Sequence, residues 1–221
     1  MANTLKQTES RIILIRHGET EWNRLHRFQG RSDIALNEKG AMQARALAKA
    51  LQNEDITAIY TSPLKRAVGT AQHIKKFHTS LPLIKEPGFL EMDLGDFEGM
   101  AGKQWAISYP LFRAQWEKSP ASLFMPGGES LVEVQSRAVQ ALKRISENFC
   151  PGSTSTIVIC SHNFVITSLL CFVADISLNR FREMRQDTAS LNVIFTDGMI
   201  WRIGTVNDRR HLEKSENLPG R

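Results

Sequence analysis

The chain has 221 residues, of which 42% are hydrophobic and 23% charged; this is ordinary for a globular protein and excludes wholesale disorder. A chain of this length can bury a large core in one domain without disulfides or metals. Lys and Arg number 28 against 23 Asp and Glu, and the net charge of +5 suits either nucleic acid or a small anionic substrate. The positions of the arginines must decide between these two partners.

The sequence offers no segment suited to a membrane or to secretion. The longest nearly apolar stretch, residues 164–174, is far shorter than the ~20 residues that a membrane-spanning helix needs. The first ten residues are polar and lack the apolar core of a signal peptide. The cysteines are odd in number and form no Cys-x-x-Cys pair, which favours free thiols in a reducing compartment. We therefore expect a cytoplasmic protein that does not bind a membrane.

The first half of the chain alternates strands with helices. Residues 11–15 form a continuous apolar, β-branched run, which is typical of a strand inside a parallel sheet. Asn37 is a good N-cap and is followed by apolar residues at helical spacing. A second strand at residues 57–61 precedes Ser62, which we expect to cap the next helix, and residues 83–84 predict a weak third strand.

The second half of the chain repeats this alternation after an irregular segment. Residues 97–128 are rich in Gly, Pro and aromatics, and we expect a helix over residues 103–117 within them. A long amphipathic helix is predicted over residues 129–149, ended by a turn at 150–153. A buried strand at 156–160 and an apolar helix then lead to a final hairpin, with strands at 191–195 and 199–206.

These elements predict an α/β fold, a three-layer α/β/α sandwich with a mostly parallel central sheet. We expect one domain over residues 10–206, flanked by an N-terminal tail, residues 1–9, and a loose polar C-terminal tail, residues 207–221. The segment 97–128 is expected to lie over the active site as an insertion. Ligands in such folds bind beyond the carboxyl ends of the strands, so residues at those ends are the candidates for a site.

Chemically versatile side chains do gather at the predicted strand ends: Arg16, His17, Arg66, His162 and Glu91. Two converging arginines repel each other unless an anion lies between them, and a guanidinium matches a phosphate or a carboxylate. A histidine can attack phosphorus if its second nitrogen is held by an acceptor, and a carboxyl can protonate the departing oxygen. A single histidine at a strand end is more often structural, so spacing alone leaves both readings open.

Seven blocks of sequence, in order along the chain, decide the matter by resemblance. Together they are similar to the signature of the histidine phosphatase superfamily, also called the phosphoglycerate mutase-like family. The blocks are residues 16–23 (RHGETEWN), 28–33 (FQGRSD), 36–44 (LNEKGAMQA), 62–67 (SPLKRA), 90–99 (LEMDLGDFEG), 126–130 (PGGES) and 161–162 (SH).

The resemblance implies a role for each matched residue. His17 would be the nucleophile that becomes a phosphohistidine, and Glu91 would be the acid/base. The phosphoryl group would be bound by Arg16, Arg66 and His162, in a pocket also lined by Asn23, Gln29 and Gly30. Cationic side chains would stabilise the transferring group, so we expect neither a metal nor a cofactor.

Two departures from the family pattern refine the expected activity. Asn163 stands where the family often has Gly, and its backbone N–H at a helix start could still contact the substrate phosphate. Residues 92–95 (MDLG) lack the arginines and the tyrosine of the true mutases. We therefore expect a phosphatase that acts on small phosphomonoesters, resembling alpha-ribazole phosphatases, broad-specificity phosphatases and metal-independent phosphoserine phosphatases, with alpha-ribazole 5'-phosphate as one candidate substrate.

Other interpretations remain open at this point. A cofactor-dependent phosphoglycerate mutase is the enzymatic alternative, and a non-catalytic anion-binding or interaction module is the alternative of another class. No nucleic-acid-binding motif is present, so we expect a small phosphorylated metabolite as partner and no nucleic acid, and a homodimer is left open. Arg180, Arg182 and Arg185 could select the substrate, although a solvated face is the favoured interpretation.

Overall fold

The computed structural model describes residues 9–147 and 154–216 of the chain. Its sheet has the strand order β3-β2-β4-β1-β5-β6, in which β1 to β4 are mutually parallel and β5 and β6 are antiparallel to their neighbours. This confirms the predicted α/β sandwich with a mostly parallel sheet. The strands are β1 (Ser10–Arg16), β2 (Ala58–Thr61), β3 (Leu83–Lys85), β4 (Thr156–Ser161), β5 (Leu191–Thr196) and β6 (Trp201–Asp208).

Helices cover both faces of this sheet. The α-helices are α1 (Glu21–Arg24), α2 (Glu38–Ala50), α3 (Lys65–Lys75), α4 (Gly102–Ser108), α5 (Pro110–Lys118), α6 (Leu131–Ser146), α7 (Asn163–Val173) and α8 (Arg210–Glu216). Strand β1 shows how its sequence produces the layers. Ile12 and Leu14 pack on the face of α6 and α7, whereas Ile13 and Ile15 pack on the face of α2 and α3, and all four are fully buried.

Helix α3 begins later than expected because Ser62 has another partner. Its hydroxyl lies 2.7 Å from His162 Nε2, and α3 starts at Lys65. The first N–H of the helix instead donates to Asp33 Oδ1, 2.6 Å away, from a separate loop. The cap is thus supplied through tertiary contact, which local sequence does not reveal.

The single helix expected over residues 103–117 is two helices. They meet at Tyr109, whose φ of −130° and ψ of 53° are not helical. Pro110 begins the second helix, and proline disfavours the helical conformation in the residue before it. Pro110 therefore indicates this break in the sequence, although the helical periodicity of residues 103–117 conceals it.

The C-terminal residues also differ from the expected loose tail. Strand β6 extends through Asp208, and α8 follows and places Leu212 in the core beside α2. Helix α6 ends at Ser146, before the predicted residue 149. The predicted turn at residues 150–153 and most of the N-terminal tail lie outside the described residues, as do residues 217–221.

In the described ranges, no single helix is long and apolar enough to cross a membrane. Among the described residues, one bent pair, α7 with the 3-10 segment Leu178–Met184, passes by length and composition alone, and its two parts lie at 108° to each other.

Candidate active site

The parallel pairing of β1 and β4 brings the two predicted histidines together. Arg16 is opposite Ser161 in the register, so His17 and His162 follow adjacent strands at the same edge of the sheet. Their ring centroids are 5.1 Å apart, and both side chains are buried. The strand ends therefore converge as the sequence predicted.

His17 has one ring nitrogen engaged and the other directed to the cluster. Nδ1–H donates a hydrogen bond to the carbonyl oxygen of Gly18, 2.7 Å away. Nε2 then carries the lone pair of the ring and accepts a hydrogen bond from Arg66 Nε at 3.2 Å. Burial lowers the pKa of His17 well below its ordinary value, and the charges of Arg66 and Arg16 lower it further. The ring is therefore neutral and able to act as a nucleophile at neutral pH.

Arg66 lies at the centre of the cluster. Its Nε is 3.2 Å from both His17 Nε2 and His162 Nδ1. Nη2 donates to the carbonyl of Gly30 and Nη1 to that of Ser32, each at 2.7 Å. Burial lowers the pKa of Arg66 to about 10, so the guanidinium remains charged at neutral pH.

Arg16 presents an unused donor. Its Nη1 donates to the carbonyl of Gln186 at 2.6 Å, while its Nε is buried without a hydrogen-bond partner. A buried N–H of a cation is costly to leave unpaired, so this donor is suited to an anion that enters the site.

His162 is oriented by a residue that sequence reasoning had assigned elsewhere. Ser62 Oγ lies 2.7 Å from His162 Nε2, and both side chains are fully buried. Burial lowers the pKa of His162 well below its ordinary value, with Arg66 and His17 adding to the effect. Ser62 was predicted as a helix cap, and only the strand pairing shows its contact with His162.

Glu91 is buried, with 4% of its surface exposed, and its carboxylate accepts two backbone N–H groups. Oε1 accepts from Met92 at 2.9 Å, and Oε2 accepts from Phe164 at 3.3 Å, in the first turn of α7. Burial raises the pKa of Glu91, although these hydrogen bonds and the charges of Arg66 and Arg16 oppose it. A raised pKa favours the proton-donor role that the sequence suggested.

The loop of residues 30–32 supports Arg66 and is itself held by an acid. The N–H groups of Gly30, Arg31 and Ser32 all donate to the Glu98 carboxylate, at 2.9 to 3.2 Å. Gly30 is needed here because a Cβ would lie 2.3 Å from the carbonyl oxygen of Met92. Glu98 was not predicted as a site residue; its only signal was its place in a family block.

Gln29 and Asn23 are connected to the cluster through Thr20 and Arg66. With the Gln29 amide nitrogen on Thr20 Oγ1 at 2.6 Å, its oxygen accepts from Arg66 Nε and Nη1 at 3.0 and 3.1 Å. Asn23 forms a capping box with Thr20 at the start of α1. Gln29 thus orients Arg66, and the amide of Asn23 is held at the edge of the same network. The substrate contacts predicted for both remain predictions.

Asn163 is the first residue of α7, half-buried beside His162. The helix start does bind an anion, but the N–H that does so belongs to Phe164 and the anion is Glu91. A direct contact of Asn163 with the substrate remains a prediction.

An aromatic cavity of about 220 Å³ adjoins the site on the side of Phe164. Its walls include Phe28, Trp105, Trp116 and Phe164, so the segment 97–128 contributes much of the lining. The indole N–H of Trp105 is buried without a hydrogen-bond partner.

The three arginines near residue 180 have different surroundings. Arg180 pairs with Glu183, and Arg185 pairs with Asp187, on exposed surface as the sequence favoured. Arg182 instead lines the aromatic cavity, donates to the Trp116 carbonyl at 3.1 Å and stacks over Phe181.

Comparison with known families gives this cluster its context. Residues 12–209 match the family model of the histidine phosphatase superfamily, branch 1. The chain belongs to the histidine phosphatase superfamily. The resemblance inferred from the sequence blocks is therefore confirmed.

Individual relatives agree with this assignment. Over 184 residues, the chain is 35% identical to phosphoserine phosphatase 1 of Hydrogenobacter thermophilus, covering 83% of this chain and 85% of that one. It superposes on Bacillus stearothermophilus YhfR with a TM-score of 0.84 at 29% identity, over 92% of this chain and 99% of that one. The alpha-ribazole phosphatase of Shigella flexneri shares the fold, with a TM-score of 0.79 at 24% identity over 90% and 96% of the two chains. The chain is a phosphoric monoester hydrolase, as the sequence predicted, rather than a non-catalytic module.

Proposed function

We propose that this phosphatase hydrolyses small phosphorylated metabolites through a phosphohistidine on His17, without a metal. The observation that carries the proposal is the arrangement around His17. Its Nδ1 is held by the Gly18 carbonyl, and its Nε2 faces Arg66 within a buried, cationic cluster. A fixed nucleophile surrounded by positive charge is what phosphoryl transfer needs.

In the first half-reaction, His17 Nε2 attacks phosphorus and the bond from phosphorus to the ester oxygen breaks. Glu91 gives its proton to the departing alkoxide, and its raised pKa supports this role. Arg16, Arg66 and His162 hold the phosphoryl oxygens, and the unpaired Nε of Arg16 is the donor available for them.

In the second half-reaction, Glu91 takes a proton from water, whose oxygen attacks the same phosphorus. The phosphorus–nitrogen bond breaks, inorganic phosphate leaves, and His17 and Glu91 regain their starting states. Within the described residues, no three His, Cys, Asp or Glu side chains are grouped so as to hold a metal ion. The guanidinium groups therefore supply the positive charge in this scheme.

The aromatic cavity supports a substrate whose leaving group carries a ring. A cavity of about 150 Å³ lined by apolar groups accommodates benzene, so the 220 Å³ present here is large enough for an aromatic ring. The serine released from phosphoserine is small and zwitterionic, whereas five aromatic rings line the cavity. Its two charged lining residues already have partners, since Glu117 pairs with Arg113 and Arg182 donates to the Trp116 carbonyl, so burying serine there would be unfavourable. Alpha-ribazole 5'-phosphate, with its aromatic base, is therefore the better candidate.

A phosphate-release assay with a rapid-quench experiment tests the mechanism. Wild-type protein mixed with ³²P-labelled p-nitrophenyl phosphate should retain acid-labile, base-stable label, and prolonged EDTA treatment should not change turnover. His17→Ala should abolish both labelling and turnover, whereas His26→Ala, at an exposed histidine, should leave both intact.

Three results would contradict this mechanism. Equal turnover by His17→Ala would exclude the covalent route. Activity lost to EDTA and restored by Mg²⁺ or Zn²⁺ would exclude metal independence. Conversion of 3-phosphoglycerate to 2-phosphoglycerate, in place of phosphate release, would identify a mutase.

A substrate panel tests the leaving-group preference. Trp105→Leu should lower kcat/KM for alpha-ribazole 5'-phosphate about 5-fold, since an aromatic contact of this kind contributes roughly 1 kcal/mol. The same variant should leave kcat/KM for phosphoserine unchanged, and Trp201→Leu on β6 is the matched control. A wild-type preference for phosphoserine would refute the ring preference while leaving the mechanism in place.

We also propose a cytoplasmic location. Its support is chemical: Cys160 and Cys171 are free and buried, and burial raises the pKa of Cys171 to about 11. Such thiols are unreactive and need no oxidising compartment.

A further inference from the structure

The turn that carries Glu91 is held by one arginine of helix α6. Arg137 Nη1 donates to the carbonyls of Gly88 and Leu90 at 2.9 and 2.6 Å, and Nη2 donates to that of Glu91 at 3.1 Å. Nε and Nη2 also donate to the Glu129 carboxylate, at 2.9 and 3.0 Å. The guanidinium has five N–H groups, and these five contacts match that number.

Glu129 holds the other side of the same turn. Its Oε2 accepts the backbone N–H of Asp93 at 2.9 Å, two residues beyond Glu91. Arg137 thus binds the carbonyls of Leu90 and of Glu91 itself, and Glu129 binds the N–H of Asp93 just after them. The Glu91 backbone is fixed from both directions by one ion pair, of which each side chain is 21% exposed.

Glu129 also reaches the phosphate-binding half of the site. Arg31 Nη2 donates to the same Oε2 at 3.1 Å. Arg31 belongs to the loop whose carbonyls hold Arg66, so one carboxylate connects the Arg66 loop with the Glu91 turn. Burial alone would raise the pKa of Glu129, but hydrogen bonds from Arg137 and Asp93 and the arginine charges hold it below its ordinary value.

We infer that Arg137 and Glu129 are positioning residues for the reaction: they set the distance and direction of the Glu91 carboxyl relative to the leaving oxygen. The inference rests on the proposed function, in which Glu91 transfers the proton. Lysine cannot replace Arg137, because its ammonium has three donors and no planar fork. Glutamine cannot replace Glu129, because its amide nitrogen would face donors.

Arg137→Lys and Glu129→Gln test the inference through the leaving group. A displacement of about 1 Å can cost roughly 10²-fold in rate, so turnover of an alkyl phosphate should fall by about that factor. Phosphohistidine formation from p-nitrophenyl phosphate should fall less than about 5-fold, because p-nitrophenolate is a good leaving group that needs little protonation. KM should change little for either substrate.

A background that lacks the proton donor separates positioning from general support of the fold. In Glu91→Gln protein, Arg137→Lys should not reduce alkyl phosphate turnover further, because the residue through which it acts is already gone. A purely structural role would reduce turnover in both the wild-type and the Glu91→Gln backgrounds. It would also lower the rates for the alkyl and the nitrophenyl ester by the same factor. Thermal unfolding of each variant records whether the fold persists.

Arg202→Lys is the matched control. Arg202 makes a similar two-contact pair with Glu9, but on the exposed edge of the sheet. Arg202→Lys should change the reaction rate with neither substrate. Equal losses for the alkyl and nitrophenyl esters in Arg137→Lys would overturn the inference, and a wild type unable to cleave p-nitrophenyl phosphate would instead overturn the proposed function.

Discussion

Two arginines near Glu91 differ in their hydrogen-bond partners. Arg16 has a buried Nε without a partner, whereas the N–H groups of Arg137 are engaged by carbonyls and a carboxylate. An unpaired buried donor costs stability and is tolerated where a ligand will satisfy it. A fully paired arginine instead makes its surroundings rigid. The comparison separates the groups that meet the phosphate from those that hold the machinery in place.

Among the groups that meet the substrate, the loss of Glu91, the proposed acid, should have the largest effect on the rate. Glu91→Gln should slow alkyl phosphate hydrolysis about 10²–10⁴-fold, the range for a lost general acid/base. With p-nitrophenyl phosphate, a burst of p-nitrophenol followed by slow turnover is expected, measured by stopped-flow absorbance. The burst survives because Glu91 is needed chiefly for the second step with this substrate.

Asp96→Asn provides the comparison for that experiment. Asp96 is an exposed acid that follows Glu91 closely in the sequence. Its replacement should leave both the burst rate and the alkyl phosphate turnover unchanged. If Glu91→Gln slows the burst as much as it slows alkyl ester turnover, Glu91 is not the proton donor.

Bound inorganic phosphate should stabilise the folded protein through the groups that contact it. Inorganic phosphate at 100 times its dissociation constant should add about 2.7 kcal/mol to the free energy of unfolding, which thermal unfolding can measure. Arg16→Gln should remove most of this gain, because the donor without a partner is lost. Arg185→Gln, at an exposed ion pair, should retain it. Equal stabilisation of both variants would contradict the role given to Arg16.

Among the groups that hold the site in place, Glu98 binds the loop that supports Arg66. Glu98→Gln removes the charge from the three N–H contacts of the 30–32 loop. The free energy of unfolding should fall by about 1–3 kcal/mol, the scale of hydrogen bonds to a charged group, as measured by urea denaturation. KM should rise more than kcat falls, since the loop orients Arg66.

Glu183→Gln, at an exposed pair with Arg180, is the control for Glu98 and should leave stability unchanged. A drop in kcat without a rise in KM would place the effect of Glu98 elsewhere than in Arg66.

The buried histidines predict the pH dependence of stability. Burial lowers the pKa of both His17 and His162, so below about pH 6.5 the unfolded chain takes up protons that the folded protein does not. Stability should therefore fall as the pH drops through this value, by at most about 1.4 kcal/mol per pH unit for each histidine. Urea denaturation from pH 7.5 to 5 measures the slope. His162→Gln should flatten it, and so should His17→Gln; an unchanged slope in both variants would remove these histidines as its cause.

Much of the fold was determined by sequence close to each element. Asn37 accepts the N–H of Gly40 at 2.8 Å as an N-cap should, and the apolar run of β1 predicted a strand buried on both faces. Pro110 divides the helix of the 97–128 segment. Each of these rests on local sterics or on a period, which few residues suffice to reveal.

The candidate residues were likewise accessible to sequence, because strand ends and family blocks mark them. Arg16, His17, Arg66, His162 and Glu91 do lie together.

What only the tertiary structure decided is how those residues are held. Ser62 faces His162 across 100 residues, Glu98 holds a loop 68 residues earlier, and Arg137 grips a turn 46 residues away. No period or propensity links positions so far apart. Buried donors and acceptors must find partners once packing has excluded water, and the fold determines which ones are within reach.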